Sequence, residues 1–223
     1  MARPVHTGLA RPVPEEDGPE TRAVDHMADD DMSARAYLGR PPVTTPHRQG
    51  VVVLYIVLLV LGLVGAALHL SRSSDPRTPS RVAEVVLLWL LVIYVGVGSV
   101  LAFVAHTIYA DATAASIGWA AGNPFQTEVA VANLSVGVLG ILCYWFRDQF
   151  WLATVIAYSV WFLGDAVVHV HQIVVANNWE PNNAGAALYA DIASPIVMIV
   201  LLVLARRHRR SGDTRLAART QPS

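Results

Sequence analysis

Residues 51–70 read VVVLYIVLLVLGLVGAALHL. This run of twenty residues holds no formal charge, and about twenty apolar residues in a helix are what it takes to cross a bilayer core. Four further segments of the same kind follow. The second runs over about 82–107 and is interrupted only by Glu84; the third covers about 127–146, the fourth about 150–176 and the fifth about 187–205. Between the second and third, YADATAASIGWAAGNPFQ is too broken by Gly, Asn and Pro to span. The expected fold class is therefore all-α, a polytopic integral membrane helical bundle with five transmembrane helices.

Composition agrees. The chain has 223 residues, is 54% hydrophobic and 15% charged, where a soluble domain is roughly a quarter charged. The charges are segregated: residues 51–205 carry 12 of them and the two ends carry 21. Residues 1–50 are rich in Pro, Arg and Asp without an apolar period, as expected of a disordered tail. They contain no apolar stretch of signal-peptide type, so residues 51–70 are expected to serve as an uncleaved signal anchor. Residues 206–223 form a basic tail. All 16 basic residues are arginine, a codon-usage signature rather than a chemistry. A net charge of −1 argues against nucleic acid as a partner, and a single cysteine, Cys143, cannot form an intrachain disulfide. The expected partner is the lipid bilayer; a second copy or a membrane partner subunit stays open.

Arginine placement gives the orientation. Three arginines lie in 71–81, one in 147–149 and four in 206–210, whereas 108–125 and 177–186 have none. With five spans these sets fall on opposite sides, which places the C-terminus in the cytoplasm and the N-terminus outside. The expected location is a bacterial inner membrane. Arg35, Arg40 and Arg48 in the N-terminal tail pull against this assignment.

The strings GWAAGNPFQTEVAVANLSVGVLGILCYWFRDQFWLATVI, GDAVVHVH and NNAGAALYADIASP resemble a bacterial family of small multi-span membrane proteins classed as a domain of unknown function. The resemblance covers about residues 51–205 and is strongest from Gly118 to Ile156. It implies a membrane bundle and brings no established activity. In that family the position of Asp165 is often a small residue, which sets this carboxylate apart from any shared site.

Ionisable groups inside spans cost about +2.5 to +3.5 kcal/mol each on insertion scales and are functional candidates by default. The topology brings His106, Glu128, Asp165, His169 and Asp191 to the outer half of the bundle from four helices. By the 3.6-residue period, Asp165 and His169 share a face with Tyr158 and Gln172, while His171 points elsewhere. Carboxylates and imidazoles on facing helices suit a divalent metal such as Zn, Fe or Mn, so these five residues form a candidate metal cluster. No HExxH or paired ExxH spacing supports it. The alternatives are internal pairing of the polar groups, a proton or small-ligand path, and, least favoured, a haem held between His106 and His169. The functional expectation is a membrane protein, not assigned as an enzyme, that binds a metal or carries a proton or small ligand. The rivals are a membrane oxidoreductase with a redox metal near quinone and an accessory subunit without a site. GNPFQ and EPNNAG are turns on the outer side, read as ordinary helix connections that could lid the site.

Overall fold

The computed structural model describes residues 46–219, with side chains described from 50 to 207. Six helices follow one another: α1 (Pro46–Arg72), α2 (Pro79–Ile108), α3 (Ala110–Ile117), α4 (Phe125–Leu142), α5 (Gln149–Ala176) and α6 (Ala186–Arg219). Five are long and apolar enough to cross a membrane, α3 being the short exception. Residues 1–45 of the expected disordered tail lie outside the described residues; residues 46–50, assigned to that tail by composition, are the first turn of α1. The basic tail likewise continues α6 as far as Arg219.

The helix ends follow local chemistry. Thr78 caps α2 by accepting from the Arg81 backbone N–H, with Pro79 at the first helical position. Gly118 ends α3 in the left-handed region at φ 84°, and a Cβ there would lie 2.7 Å from the Asn178 side chain. α4 stops at Leu142, four residues before the sequence-based boundary. Tyr144, Trp145 and Phe146, all exposed, make the turn into α5. Such amphipathic rings suit the membrane interface. Arg81 pairs with Asp75 at 3.0 Å and Glu84 at 3.3 Å on the same side of the bundle.

α2 is the central helix: 44% of its most apolar window is buried, against 17% for α1. It is not regular. Its residues Leu90–Val97 form a π-helical segment between two α-helical parts, a rare wide turn that the residue pattern does not announce. α2 and α4 touch backbone to backbone, since a Cβ on Gly140 would lie 2.7 Å from Gly96 Cα and from the Leu91 carbonyl oxygen. In one half of the bundle Leu87, Leu88, Leu91, Val155, Trp151, Met198 and Leu202 pack into a dry core. The other half, beneath α3 and the 177–185 loop, is different.

Candidate functional site

In that second half, α1, α2, α4, α5 and α6 surround a cavity of about 220 Å³. α5 supplies Tyr158, Asp165 and His169 to its wall, and α6 supplies Asp191 and Ser194. Positions 158, 165 and 169 lie seven and four apart, which on a 3.6-residue helix keeps them on one face. α2 contributes Tyr94 and His106, α1 Tyr55, and α4 Asn133. The loops and α3 close the top with Ser116, Trp119 and Asn182.

The upper wall is held by a network that residue patterns did not single out. Asn183 is fully buried. Its amide Nδ2 donates to the carbonyl oxygens of Asn178 (2.9 Å) and His169 (3.4 Å). That fixes the amide orientation and leaves Oδ1 facing His169 Nδ1 at 2.8 Å. The ring nitrogen must therefore carry the hydrogen and donate it. Asn178 donates to the Ile117 carbonyl at 2.8 Å and Asn182 to the Ser116 hydroxyl at 3.0 Å. The 177–185 loop is thereby tied both to α5 and to α3. The signal in the sequence is NNWEPNN, four asparagines within seven residues, which composition alone reads as a polar turn.

With Nδ1 occupied, His169 presents Nε2 to the Asp191 carboxylate, 3.5 Å away. An imidazole lone pair and a carboxylate repel, so this contact is favourable only when the pair holds one proton between them. It is then neutral as a unit. Asp191 is only 5% exposed, and His169 Nε2 is the one polar partner of its carboxylate among the described residues. One turn further along α6, Pro195 has no N–H to give to the Asp191 carbonyl. Asp165 has neither a hydrogen bond nor an ion pair among the described residues, and no arginine lines the cavity. Asp165 is half-buried, and a carboxylate withdrawn from water is disfavoured as the anion unless a positive partner stands beside it; the wall supplies none.

At the cavity floor the Ser194 hydroxyl donates to the Ala190 carbonyl at 2.7 Å. Tyr158 must then donate its own proton to Ser194, 2.5 Å away. Tyr158 lies nine residues into α5, about 14 Å along the helix, near the middle of a bilayer core of about 30 Å. Beyond it lies the dry core, so the polar wall ends there.

Of the five residues gathered as a candidate metal cluster, His106, Asp165, His169 and Asp191 line this cavity; Glu128 does not. Glu128 sits in the first turn of α4 on its exposed side. His106 is bonded through Nδ1 to the Gln126 side chain. His171 is exposed. Among the described residues no three His, Cys, Asp or Glu side chains come together as a group that could hold a metal ion. Tyr55, Tyr94 and Asn133 belong to the wall and were absent from the sequence-based set.

A family model described as a family of unknown function (DUF6790) matches residues 52–211. No curated protein and no solved structure matches the chain.

Proposed function

We propose a role for a chain that belongs to the DUF6790 family of unknown function: it is a membrane protein that takes a small ligand or a proton into a polar cavity among its helices. The observation that carries this reading is the unmatched carboxylate Asp165 in the wall of a cavity of about 220 Å³. A half-buried carboxylate is stabilised in its ionised form by a positive partner, and the wall offers none. The arginine distribution supports placing the mouth of the cavity, under α3 and the 177–185 loop, on the outer side of the membrane. The dry core below Tyr158 favours a site entered from one side over a continuous pore. An internal pairing role accounts for His169, Asn183 and Asp191, but leaves Asp165 unexplained.

Cysteine accessibility tests this. In a Cys143→Ser background the chain has no other thiol. Ala102→Cys and Ala190→Cys, both in the cavity wall, should react with a membrane-impermeant thiol reagent added outside intact cells. Val167→Cys, on the outward face of α5 with Val167 70% exposed, should face lipid and stay unlabelled. Failure of both cavity positions to react from outside would rule out an outward-open, hydrated site.

A further inference from the structure

Resting on the reading of the cavity as a ligand site, we propose that the ligand is a small organic ammonium ion, a protonated or quaternary amine with an apolar body. Charge comes first. The wall holds two carboxylates, Asp165 and Asp191, and no arginine. His169 and Asp191 neutralise each other when they share one proton, so Asp165 is the group whose ionisation makes the cavity negative, and a cation beside it favours that ionised form. That charge repels anions and attracts cations. Asp191, 5% exposed, has His169 as the one partner of its carboxylate among the described residues, and its other oxygen retains acceptor capacity.

The remaining polar wall offers acceptors beside its donors, of which the Trp119 indole N–H has no partner among the described residues. Tyr158 gives its proton to Ser194, which gives its own to Ala190. Asn133 is 4% exposed and donates its amide N–H to the Val129 carbonyl at 3.0 Å, leaving its amide oxygen as an acceptor.

Aromatic rings supply the second half of the recognition. Tyr55 from α1, Tyr94 from α2, and Tyr158 and Phe162 from α5 all line the same cavity. They form two ring pairs, Tyr55–Tyr94 with centroids 6.3 Å apart and Tyr158–Phe162 at 4.4 Å. Aromatic side chains attract ammonium groups, and several of them together are the recurring recognition of quaternary ammonium ligands. A bare metal ion is the poorer guest, because no three ligating side chains converge and much of the wall is apolar, Leu54, Leu58 and Val129 among it. Those side chains suit the carbon of an organic cation.

The test uses two probes of one shape and different charge: choline and its neutral carbon isostere 3,3-dimethylbutan-1-ol. Purified full-length protein in detergent is titrated with each at constant ionic strength, and thermal unfolding is followed. Choline should raise the apparent Tm by several degrees and the isostere should not, since only a ligand that prefers the native state stabilises it. Asp165→Asn should weaken the choline response at least about tenfold, the equivalent of about 1.4 kcal/mol, and Asp165→Glu should retain most of it. If Asp165→Asn does not fold, Tyr55→Leu serves the same purpose from a different helix. Equal stabilisation by the isostere, or an undiminished choline response in these variants, would overturn the proposal. So would no response to choline in a protein whose cavity cysteines label from outside, and that result would leave the cavity reading standing. Absence of labelling would instead remove the cavity reading itself.

Discussion

Replacing Asn183 by alanine should unlatch the roof of the cavity. Asn183 is fully buried and makes two short hydrogen bonds, to His169 Nδ1 at 2.8 Å and from its own Nδ2 to the Asn178 carbonyl at 2.9 Å. A third, to the His169 carbonyl, is longer at 3.4 Å. Each good bond contributes about 1 kcal/mol net, and a buried partner left unsatisfied costs about 1–3 kcal/mol. With water reaching part of the opened site, the total comes to about 3 kcal/mol. At about 2–4 °C per kcal/mol for a chain of this size, the apparent Tm should fall by roughly 6–12 °C. Asn183→Asp keeps an acceptor for His169 Nδ1 but sets a carboxyl oxygen against the Asn178 and His169 carbonyls in a fully buried place, so it should lose at least as much as Asn183→Ala. Two assays apply to purified protein in detergent: thermal unfolding followed by tryptophan emission, and amide hydrogen exchange. Exchange should rise in 177–185 and in α3, to which that loop is tied through Asn178 and Asn182. A Tm loss below about 2 °C, less than a single buried bond accounts for, together with unchanged exchange in 177–185, would refute the latch.

Other substitutions separate the parts of this account. Gly140→Ala should lower the Tm, because its Cβ would lie 2.7 Å from Gly96 Cα and overpacking of this kind costs about 1–3 kcal/mol; Gly164→Ala, with nothing within 4 Å of its Cβ, should raise stability by about 0.5–1 kcal/mol, and equal behaviour of the two in thermal unfolding would count against the close α2–α4 approach. Glu128→Gln should leave the choline response intact while Asp191→Asn weakens it, since Glu128 is outside the cavity wall; a matching loss in both, measured by the same titration, would return Glu128 to the site. Deleting Ile93 from the π-helical segment should give a folded protein with its cavity cysteines still labelled, whereas deleting Val104 from the regular part of α2 should abolish labelling at position 102 or prevent folding.

The five spans were legible because each is a long apolar run, and bilayer thickness sets its length. The face of α5 was legible too: its helix is regular, so the 3.6-residue period brings Tyr158, Asp165 and His169 together. What the residue pattern does not show has other causes. Asn183 lies in a loop, where no period applies, and its partner His169 is fourteen residues away. Tyr55 and Tyr94 sit within apolar spans, where tyrosine reads as an interface anchor, and only the assembled bundle turns them to one cavity. Glu128 was drawn into the cluster by depth alone. Depth says how far a residue lies along a helix and nothing about which side it takes.

α2 is the instructive case, because its residue pattern is misleading as it stands. Leu87, Leu91, Val95 and Ser99 are all buried, at strict four-residue intervals. In a regular α-helix each interval of four advances the face by about 40°, so over twelve residues Ser99 would stand about 120° away from Leu87. It would then face away from the core that Leu87 enters. The π-helical segment Leu90–Val97 covers the middle of this row, and its wider turn, closing at the fifth residue instead of the fourth, brings every fourth residue back toward one side. The same correction carries forward to Ala102 and His106, which line the cavity above, and the segment also contains Tyr94. Removing one residue from it and restoring the α-helical turn makes Leu87 to Ser99 a step of eleven residues, about 20° from alignment, which is why that deletion is the tolerated one. The dry half of α2 packs on its neighbours in one register and the polar half lines the cavity in another. The wide turn is what lets one helix serve both.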